Sequence, residues 1–161
     1  MAKEKISFKD FLSTVVLEHQ TTVEDLHNKL IELGCDLVIK EAKSGYVASY
    51  QLEKKTVMNW VFRKSGIMAR IYGDNVGKYE DIIASLPAEM QKKMIASRDC
   101  KRLIDPTACS ATCVKGFIYD LNGNIQKKCR NDGMFFLLTS GIAGYINKLV
   151  CAEVVARKEV L

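Results

Sequence analysis

Residue types that commonly build catalytic sites are scarce in this chain. It has two histidines, His19 and His27, which fall in different predicted helices with no cysteine beside them. Its glycines form no phosphate-binding loop in the strand-to-helix context that such a loop needs. The adjacent carboxylates Glu80 and Asp81 would point in different directions on a helix, which makes them a poor acid–base pair. No catalytic constellation stands out, so the sequence favours a protein that is not an enzyme.

Long hydrophobic runs are also lacking. The longest apolar stretch, residues 134–146, is interrupted by Thr139, Ser140 and two glycines. It is shorter than the roughly 20 residues of a membrane-spanning helix. The N-terminal residues carry charges with no apolar segment behind them, so no secretion signal is expected. We therefore expect a cytoplasmic protein without a membrane partner, in a compartment that keeps thiols reduced.

Proline is rare, and the rest of the composition is that of an ordinary globular protein. The chain is 48% hydrophobic and 27% charged, a balance that excludes intrinsic disorder. Its 161 residues are typical of one domain, and a domain of that size buries roughly 68–70% of the surface of its unfolded chain. We predict a single domain over residues 1–161. Such a domain needs neither a disulfide nor a metal merely to hold its core together.

The N-terminal residues 1–34 predict a helical hairpin. Ser7 followed by Asp10 resembles a capping box that opens the first helix. The second helix is predicted to begin at Thr21 and to end at Gly34, since glycine suits the left-handed position that follows many helices.

Residues 37–72 change from a helical to a strand-like period. Four short runs are rich in β-branched and aromatic residues and are separated by loops of three or four residues. Short loops between consecutive strands predict antiparallel neighbours and therefore a four-stranded meander. The runs cover residues 37–42, 46–52, 56–62 and 67–72.

Helices are predicted to follow the four strands. The sequence Gly-Asp-Asn at 73–75 should end the sheet and cap a helix that runs to about Leu86. Pro87 suits the first position of the next helix. Residues 98–115 have no convincing period, and a loop of that length is usually functional or held by something.

A β-hairpin and a final helix complete the predicted fold. Asn122-Gly123 between two β-like runs specifies a type I′ turn. Residues 134–138 are apolar enough for a buried strand, and Ser140 is placed to cap a last amphipathic helix to about Lys158. The sequence thus predicts an α+β fold: an antiparallel sheet, made of a four-stranded meander plus a C-terminal hairpin and strand, packed with helices.

Four of the six cysteines fall within residues 98–130, which we call the cysteine-rich segment. They are Cys100, Cys109, Cys113 and Cys129, separated by eight, three and fifteen residues. A structural zinc site needs four soft ligands in a tetrahedron, each about 2.3 Å from the metal, and chains commonly supply them as close pairs. Cys109 and Cys113 make one such pair in an irregular loop, and the hairpin can fold back toward it. We predict that the four cysteines bind a structural zinc ion.

The cysteine-rich segment is also basic. Seven Lys and Arg side chains stand against three Asp, a local balance of +4 that carries most of the chain's net charge of +5. Four thiolates around a divalent cation leave a net negative charge, which nearby cations and backbone amides would stabilise. The same cations suit an anionic ligand or a nucleic acid. The side chains that would contact it are Lys101, Arg102, Lys127, Lys128 and Arg130.

Other interpretations of these cysteines stay open. The spacing contains one close pair instead of two, and an iron–sulfur cluster also takes four thiolates, so it is the alternative cofactor. A redox pair that forms a transient disulfide and a set of unliganded thiols are further alternatives. Cys35 and Cys151 are expected to be buried small residues outside the group.

Two stretches of the chain are distinctive together. The first comprises residues 59–64 (NWVFRK) and 68–73 (MARIYG), and the second comprises the four cysteines with Gly116 and with Phe135-Phe136 after them. Together they resemble a small bacterial family of proteins without an assigned function, over about residues 35–155. A more distant similarity, in the order of the elements, is to YdhG/YjbR-like α+β domains. The resemblance implies a bacterial protein in which the four cysteines belong to one feature, and it implies no activity.

These observations favour a non-enzymatic binding or regulatory domain with a structural four-cysteine zinc site. A thiol-dependent or iron–sulfur redox protein is one alternative, and a nucleic-acid accessory protein that uses the basic cysteine-rich segment is another. The sequence identifies no partner, and it is compatible with a homo-oligomer.

Overall fold

An antiparallel sheet of five strands forms the centre of the fold. The computed structural model describes residues 5–109 and 112–160. The strands lie in the order β1-β2-β3-β4-β7. Their bounds are β1 Asp36–Ala42, β2 Gly45–Leu52, β3 Lys55–Arg63, β4 Gly66–Ile71 and β7 Phe135–Leu137. The predicted α+β class, with its antiparallel sheet, is therefore confirmed.

Tight turns keep the four meander strands adjacent, and each predicted strand agrees with the observed one to within a residue at either end. The turn between β2 and β3 consists of Glu53 and Lys54, with φ of 52° and 64°. Both are in the left-handed region, which a two-residue hairpin turn of type I′ requires. The pairing of β2 with β3 shifts between Tyr50 and Gln51, which marks a β-bulge.

A separate two-stranded sheet follows in the chain. Its strands are β5 (Phe117–Leu121) and β6 (Asn124–Lys128). The turn residues Asn122 and Gly123 have φ of 53° and 87°, so the predicted type I′ hairpin is confirmed. The predicted strand that follows is also confirmed, because β7 pairs antiparallel with β4 at the edge of the main sheet.

The N-terminal helices agree with the prediction except at one boundary. Helix α1 (Phe8–Ser13) begins with the predicted capping box, in which the amide of Asp10 donates to Ser7 Oγ at 3.1 Å. Helix α2 (Leu17–Glu32) starts four residues before the predicted Thr21, without a side-chain cap. The hydroxyl of Thr14 donates to the carbonyl of Phe11 at 2.7 Å and ends α1 early, which leaves room for α2 to start sooner.

The helices after the sheet are shorter than predicted. The stretch expected to be one helix to Leu86 is a 3₁₀ turn (Val76–Lys78) followed by α3 (Glu80–Ala84). Asn75 does not cap it, because its amide and side chain donate instead to Glu153 at 3.0 Å. Helix α4 (Ala88–Ala96) begins one residue later than predicted, with Pro87 at its N-cap.

Helix α5 (Lys101–Ile104) is a single turn within the predicted loop. The last helix, α6 (Ala143–Glu159), starts after Ile142, so the predicted cap at Ser140 was wrong. The carbonyl of Thr139 accepts from the amides of Ile142 and Ala143 instead, at 3.2 and 3.0 Å. Backbone groups therefore satisfy this helix start without a polar side chain.

The core lies between the helices and one face of the sheet. The side chains of Tyr50, Met58, Trp60 and Phe136 on that face are almost completely buried. Helix α6 contacts β3 and β4, and α1 and α2 contact β1. No helix in the described ranges combines the length and the apolar character that crossing a membrane requires.

Candidate metal centre

A short stretch of antiparallel pairing brings the outermost two cysteines of the predicted group together. An isolated bridge joins the chain after α4 to the end of β6. The amide of Cys100 donates to the carbonyl of Lys127 at 2.9 Å, and the amide of Cys129 donates to the carbonyl of Arg98 at 2.8 Å. Because side chains alternate between two faces along paired strands, Cys100 and Cys129 lie on the same face, diagonally across the pair.

A backbone amide donates to the sulfur of Cys100. The residue is buried, and its Sγ accepts a hydrogen bond from the amide of Gly116 at 3.3 Å. Burial raises the pKa of the Cys100 thiol. Hydrogen bonds from the amides of Gly116, Leu103 and Arg102, together with the Arg102 charge, outweigh burial and hold this pKa below its ordinary value. The site therefore favours the thiolate, the form that binds metals.

The approach of Gly116 to Cys100 requires a residue without a side chain. A β-carbon at position 116 would lie 1.9 Å from the carbonyl oxygen of Lys128 and 2.9 Å from the β-carbon of Cys100. Both distances are far below van der Waals contact. Gly116 is therefore a structural part of the site, which the sequence indicated only through the family resemblance.

Cys109 and Cys113 lie in the loop beyond α5. Cys109 is exposed and has φ of 66°, and Cys113 is half-buried. The Cys113 thiol donates to the carbonyl of Val114 at 3.6 Å. Burial raises the pKa of the Cys113 thiol, Cys109 raises this pKa further, and Cys129 and Cys100 add to the effect. The Cys113 thiol thus interacts electrostatically with each of the other three. The four predicted ligands occupy one neighbourhood.

The described residues do not place the four sulfurs as one ligand set. In residues 5–109 and 112–160, no three side chains of His, Cys, Asp or Glu are arranged as a group that could hold a metal ion. The chemistry of the donors nevertheless fits: four thiols, with no carboxylate or imidazole among them, match zinc or an iron–sulfur cluster. The amides directed at Cys100 are what a metal-bound thiolate needs.

Two arginines add positive charge beside the cysteines. The guanidinium of Arg102 donates a hydrogen bond to the carbonyl of Cys113. Arg98 pairs with Asp132 at 2.7 Å. That hydrogen bond and the charge of Asp132 raise the pKa of Arg98, and the thiols of Cys129 and Cys109 add to the effect. Both cations therefore lie where they would stabilise thiolates.

The predicted basic surface is smaller in the structure than in the sequence. The side chain of Lys128 is buried, and its Nζ donates to the carbonyls of Ile95 and Ser97 at 2.7 and 3.1 Å and to Asp99 Oδ1 at 2.8 Å. It closes the C-terminal end of α4 and faces away from Cys100 and Cys129. An external ligand therefore cannot reach this ammonium group.

Arg130 is also held internally. It pairs with Asp74 through Nε at 3.0 Å and Nη2 at 3.2 Å, and its guanidinium lies 4.1 Å from the centre of the Tyr72 ring. Of the five basic residues proposed for nucleic-acid contact, Lys101 and Lys127 are exposed. Lys127 and Lys128 are adjacent in the sequence, but successive side chains of β6 lie on opposite faces, so Lys127 is exposed and Lys128 is buried.

A buried polar network that the sequence interpretation missed links this region to the core. The carboxylate of Glu153 is fully buried. It accepts from the hydroxyl of Tyr79 at 2.7 Å, from Nε of Arg157 at 2.8 Å, and from Asn75. Arg157 in turn donates to the carbonyl of Tyr72 at 3.0 Å.

Asp74 connects this network to the cysteine-rich segment. Its carboxylate pairs with Arg157 at 3.2 Å and with Arg130, the residue that follows Cys129. A sequence signal existed for part of the network, since Glu153 and Arg157 fall on the apolar stripe of α6. An acid and a base one turn apart on a buried face are expected to pair with each other.

The other residues weighed from the sequence have structural roles. Nδ1 of His27 lies 2.9 Å from the hydroxyl of Tyr50, and the imidazole stacks on the ring of Phe8 at 3.7 Å. Burial lowers the pKa of His27. Cys35 is buried in the core. Cys151 is half-buried and packs against the core.

No protein-family model matches the chain, and neither a curated protein nor a solved structure does. The resemblance to a bacterial four-cysteine family therefore stays a prediction.

Proposed function

We propose that the chain is a non-enzymatic binding or regulatory domain whose cysteine-rich segment folds around one structural zinc ion. The ligands would be the thiolates of Cys100, Cys109, Cys113 and Cys129. The observation that carries the proposal is the antiparallel bridge, which directs Cys100 and Cys129 to the same face. Zinc supplies no redox chemistry, so its role there would be to cross-link the loop after α5 to the end of the hairpin.

The surroundings of the sulfurs support a metal more than unliganded thiols. A buried thiol with no metal is stabilised by apolar neighbours, whereas the Cys100 sulfur accepts an amide hydrogen bond from Gly116 at 3.3 Å. Arg102 lies beside the group, where its charge would offset part of the excess negative charge of four thiolates.

Metal analysis of the full chain, purified without chelator, tests the proposal. We expect about one zinc per chain, and a cobalt-substituted sample should have the charge-transfer absorbance of metal-bound thiolates. Cys129→Ser should lose the metal. Cys151→Ser is the matched control and should retain it, since Cys151 lies on α6 outside the group. Less than about 0.2 metal per chain, with four titratable thiols in the segment, would overturn the proposal.

A redox protein is the second candidate, favoured by one observation. Cys109 contributes to the raised pKa of the Cys113 thiol, so the two thiols interact electrostatically, and Cys109 is exposed to oxidants. An iron–sulfur cluster would give a brown protein with absorbance in the visible range when purified without oxygen. A reversible disulfide would remove two titratable thiols on oxidation, and Cys109→Ser would abolish that loss. A colourless protein with one tightly bound zinc excludes both.

A nucleic-acid accessory role is the third candidate, and the structure restricts it. With Lys128 and Arg130 engaged internally, binding would depend chiefly on Lys101 and Lys127. Such binding should weaken steeply with salt, and Lys127→Gln should weaken it further. Absent or salt-insensitive binding to single- and double-stranded probes would remove this candidate.

A further inference from the structure

Strand β1 forms an open edge of the main sheet. It pairs with β2 on one side only, in a register without interruption from Asp36 to Ala42. The two-residue turn joins Ala42 to Gly45, which form a hydrogen-bonded pair. Hydrogen-bonded pairs then alternate with non-bonded pairs along an antiparallel ladder. The amides and carbonyls directed away from the sheet therefore belong to Leu37, Ile39 and Glu41. They have no backbone partner in the described residues.

The two sides of β1 differ in character. Leu37 and Ile39 are half-buried and pack against the core on the helical side. On the opposite side, Val38 stands between Asp36 and Lys40, and both of these charged residues are exposed. The strand is seven residues long and contains no proline or bulge. Natural edge strands commonly use proline, bulges or charged side chains to prevent pairing. This edge has only the charged side chains, so their arrangement decides which strand it can accept.

We propose that β1 pairs antiparallel with β1 of a second copy of this chain, about a two-fold axis at Val38. In that register Val38 faces Val38 of the second copy. Asp36 faces Lys40 of the second copy, and by symmetry Lys40 faces its Asp36. On the helical side Leu37 faces Ile39 of the second copy. The outward amides and carbonyls of Leu37 and Ile39 then form the hydrogen-bonded pairs.

Charge selects this register over its neighbours. Outward-directed residues must pair with outward-directed residues, so the allowed registers differ by two residues. An axis at Ile39 would place Lys40 opposite Val38 and Glu41 opposite Leu37, burying charges against apolar side chains. An axis at Lys40 would place this residue opposite Lys40 of the second copy, and like charges directly opposite each other are destabilising. Of these registers, only the axis at Val38 places Asp36 opposite Lys40 and Leu37 opposite Ile39. Glu41 would then lie opposite Cys35, which is outside β1.

The same pattern argues for a second copy in preference to an unrelated strand. A two-fold contact uses one patch twice, so it must be complementary to itself. The sequence Asp-Leu-Val-Ile-Lys at 36–40 is complementary to itself, with opposite charges at equal distances from a central valine. The two five-stranded sheets would join into one continuous sheet across the axis.

Solution mass measured over a range of concentrations, in reducing buffer, tests the proposal. The full chain should have twice the mass of a monomer at high concentration. Lys40→Glu places like charges opposite Asp36 and should shift the protein to monomer. The double variant Asp36→Lys with Lys40→Glu restores opposite charges and should restore the dimer. Lys43→Glu is the matched control: it makes the same charge change in the β1–β2 turn and should leave the dimer intact.

A cross-link tests the register itself. The α-carbons of a non-hydrogen-bonded pair lie about 4.5 Å apart, within the roughly 4.4–6.8 Å that a disulfide spans. Val38→Cys should therefore form a disulfide-linked dimer on mild oxidation, identified by mass spectrometry as position 38 joined to itself. Lys40→Cys, which faces Asp36, should not. A monomeric chain at every concentration, a dimer that Lys40→Glu leaves unchanged, or equal cross-linking of both variants would overturn the proposal. An unidentified strand bound at this edge would leave the purified chain monomeric and so also contradict it.

Discussion

The carboxylate of Glu153 lies 2.8 Å from Nε of Arg157, one turn further along α6, and both side chains are buried in the core. Glu153→Ala would leave the Arg157 guanidinium, the Tyr79 hydroxyl and the Asn75 amide without this acceptor. Breaking a buried ion pair by removing one partner costs about 3–5 kcal/mol. Because Arg157 keeps Asp74 as a partner, we expect a loss of about 3 kcal/mol in the free energy of unfolding, measured by urea denaturation.

The control for this prediction is another glutamate of the same helix. Glu159 pairs with Lys78 at 3.8 Å, and both side chains are largely exposed. Exposed pairs contribute about 0–1 kcal/mol, so Glu159→Ala should change the stability by less than about 1 kcal/mol. Equal losses in the two variants would contradict the assignment of Glu153 to a structural network.

Whether the sequence could predict a contact in this network depends on how far apart its two residues lie along the chain. The helical period of α6 places Glu153 and Arg157 on one buried face, so their pairing could have been inferred. Asp74 and Arg130 lie 56 residues apart and meet only in the folded chain. The sequence places Asp74 in the segment that ends the meander and Arg130 in the basic cysteine-rich segment, and no local pattern indicates a partner so remote.

Tyr79 and Tyr119 are two buried tyrosines with opposite hydrogen-bonding states. The hydroxyl of Tyr79 donates to Glu153 at 2.7 Å, whereas the buried hydroxyl of Tyr119 has no hydrogen-bond partner among residues 5–109 and 112–160. Tyr79→Phe should destabilise the protein by about 1–3 kcal/mol, since it leaves a buried carboxylate oxygen with fewer donors. Tyr119→Phe removes an unsatisfied polar group and should be neutral or slightly stabilising. Thermal and urea denaturation of both variants test this, and a larger loss for Tyr119→Phe would contradict it.

Three buried tyrosines should make the protein sensitive to alkaline pH. Burial raises the pKa of Tyr119 to about 12. Burial raises the pKa of Tyr79 well above its ordinary value, as does the charge of Glu153. Burial also raises the pKa of Tyr50, with a further contribution from Cys35. A group whose pKa is higher in the folded state stabilises the fold below its unfolded pKa, about 10 for tyrosine. That stability is lost as the pH rises through the folded values.

Urea denaturation at a series of alkaline pH values checks this prediction. The free energy of unfolding should fall above about pH 10, where tyrosines of the unfolded chain ionise first. Tyr119→Phe removes one of the three phenols and should reduce the slope of this fall. Parallel pH profiles for the variant and the original chain would contradict the proposed cause.

The strands and turns were predictable because their signals are local. Alternating side chains, short loops and the Asn122-Gly123 turn each act within a few residues. The predicted helix to Leu86 failed for a non-local reason: Asn75, its expected cap, bonds to Glu153 from the far end of the chain. The four cysteines could be grouped by spacing alone. The bridge that orients Cys100 and Cys129 could not, since it pairs an irregular segment with a strand end.

Replacing Gly116 should test the candidate site separately from the rest of the fold. The β-carbon of Gly116→Ala would lie 1.9 Å from a backbone oxygen of residue 128, which no side-chain movement can relieve. We expect a loss of about 1–3 kcal/mol, the range for overpacking, together with weaker metal binding. The amide of residue 116 would have to move away from the Cys100 sulfur.

Gly144→Ala is the matched control for that variant. Gly144 lies in α6, and a β-carbon there would meet no atom within 4 Å in the described part of the chain, apart from its chain neighbours and the backbone of its own helix. Alanine is favoured over glycine within helices by up to about 1 kcal/mol, so this variant should be neutral or stabilised and should bind metal as the original chain does. Hydrogen exchange of the hairpin amides should rise in Gly116→Ala and stay unchanged in Gly144→Ala. Unchanged exchange and metal content in Gly116→Ala would mean that the contact between Gly116 and Cys100 does not hold the site together.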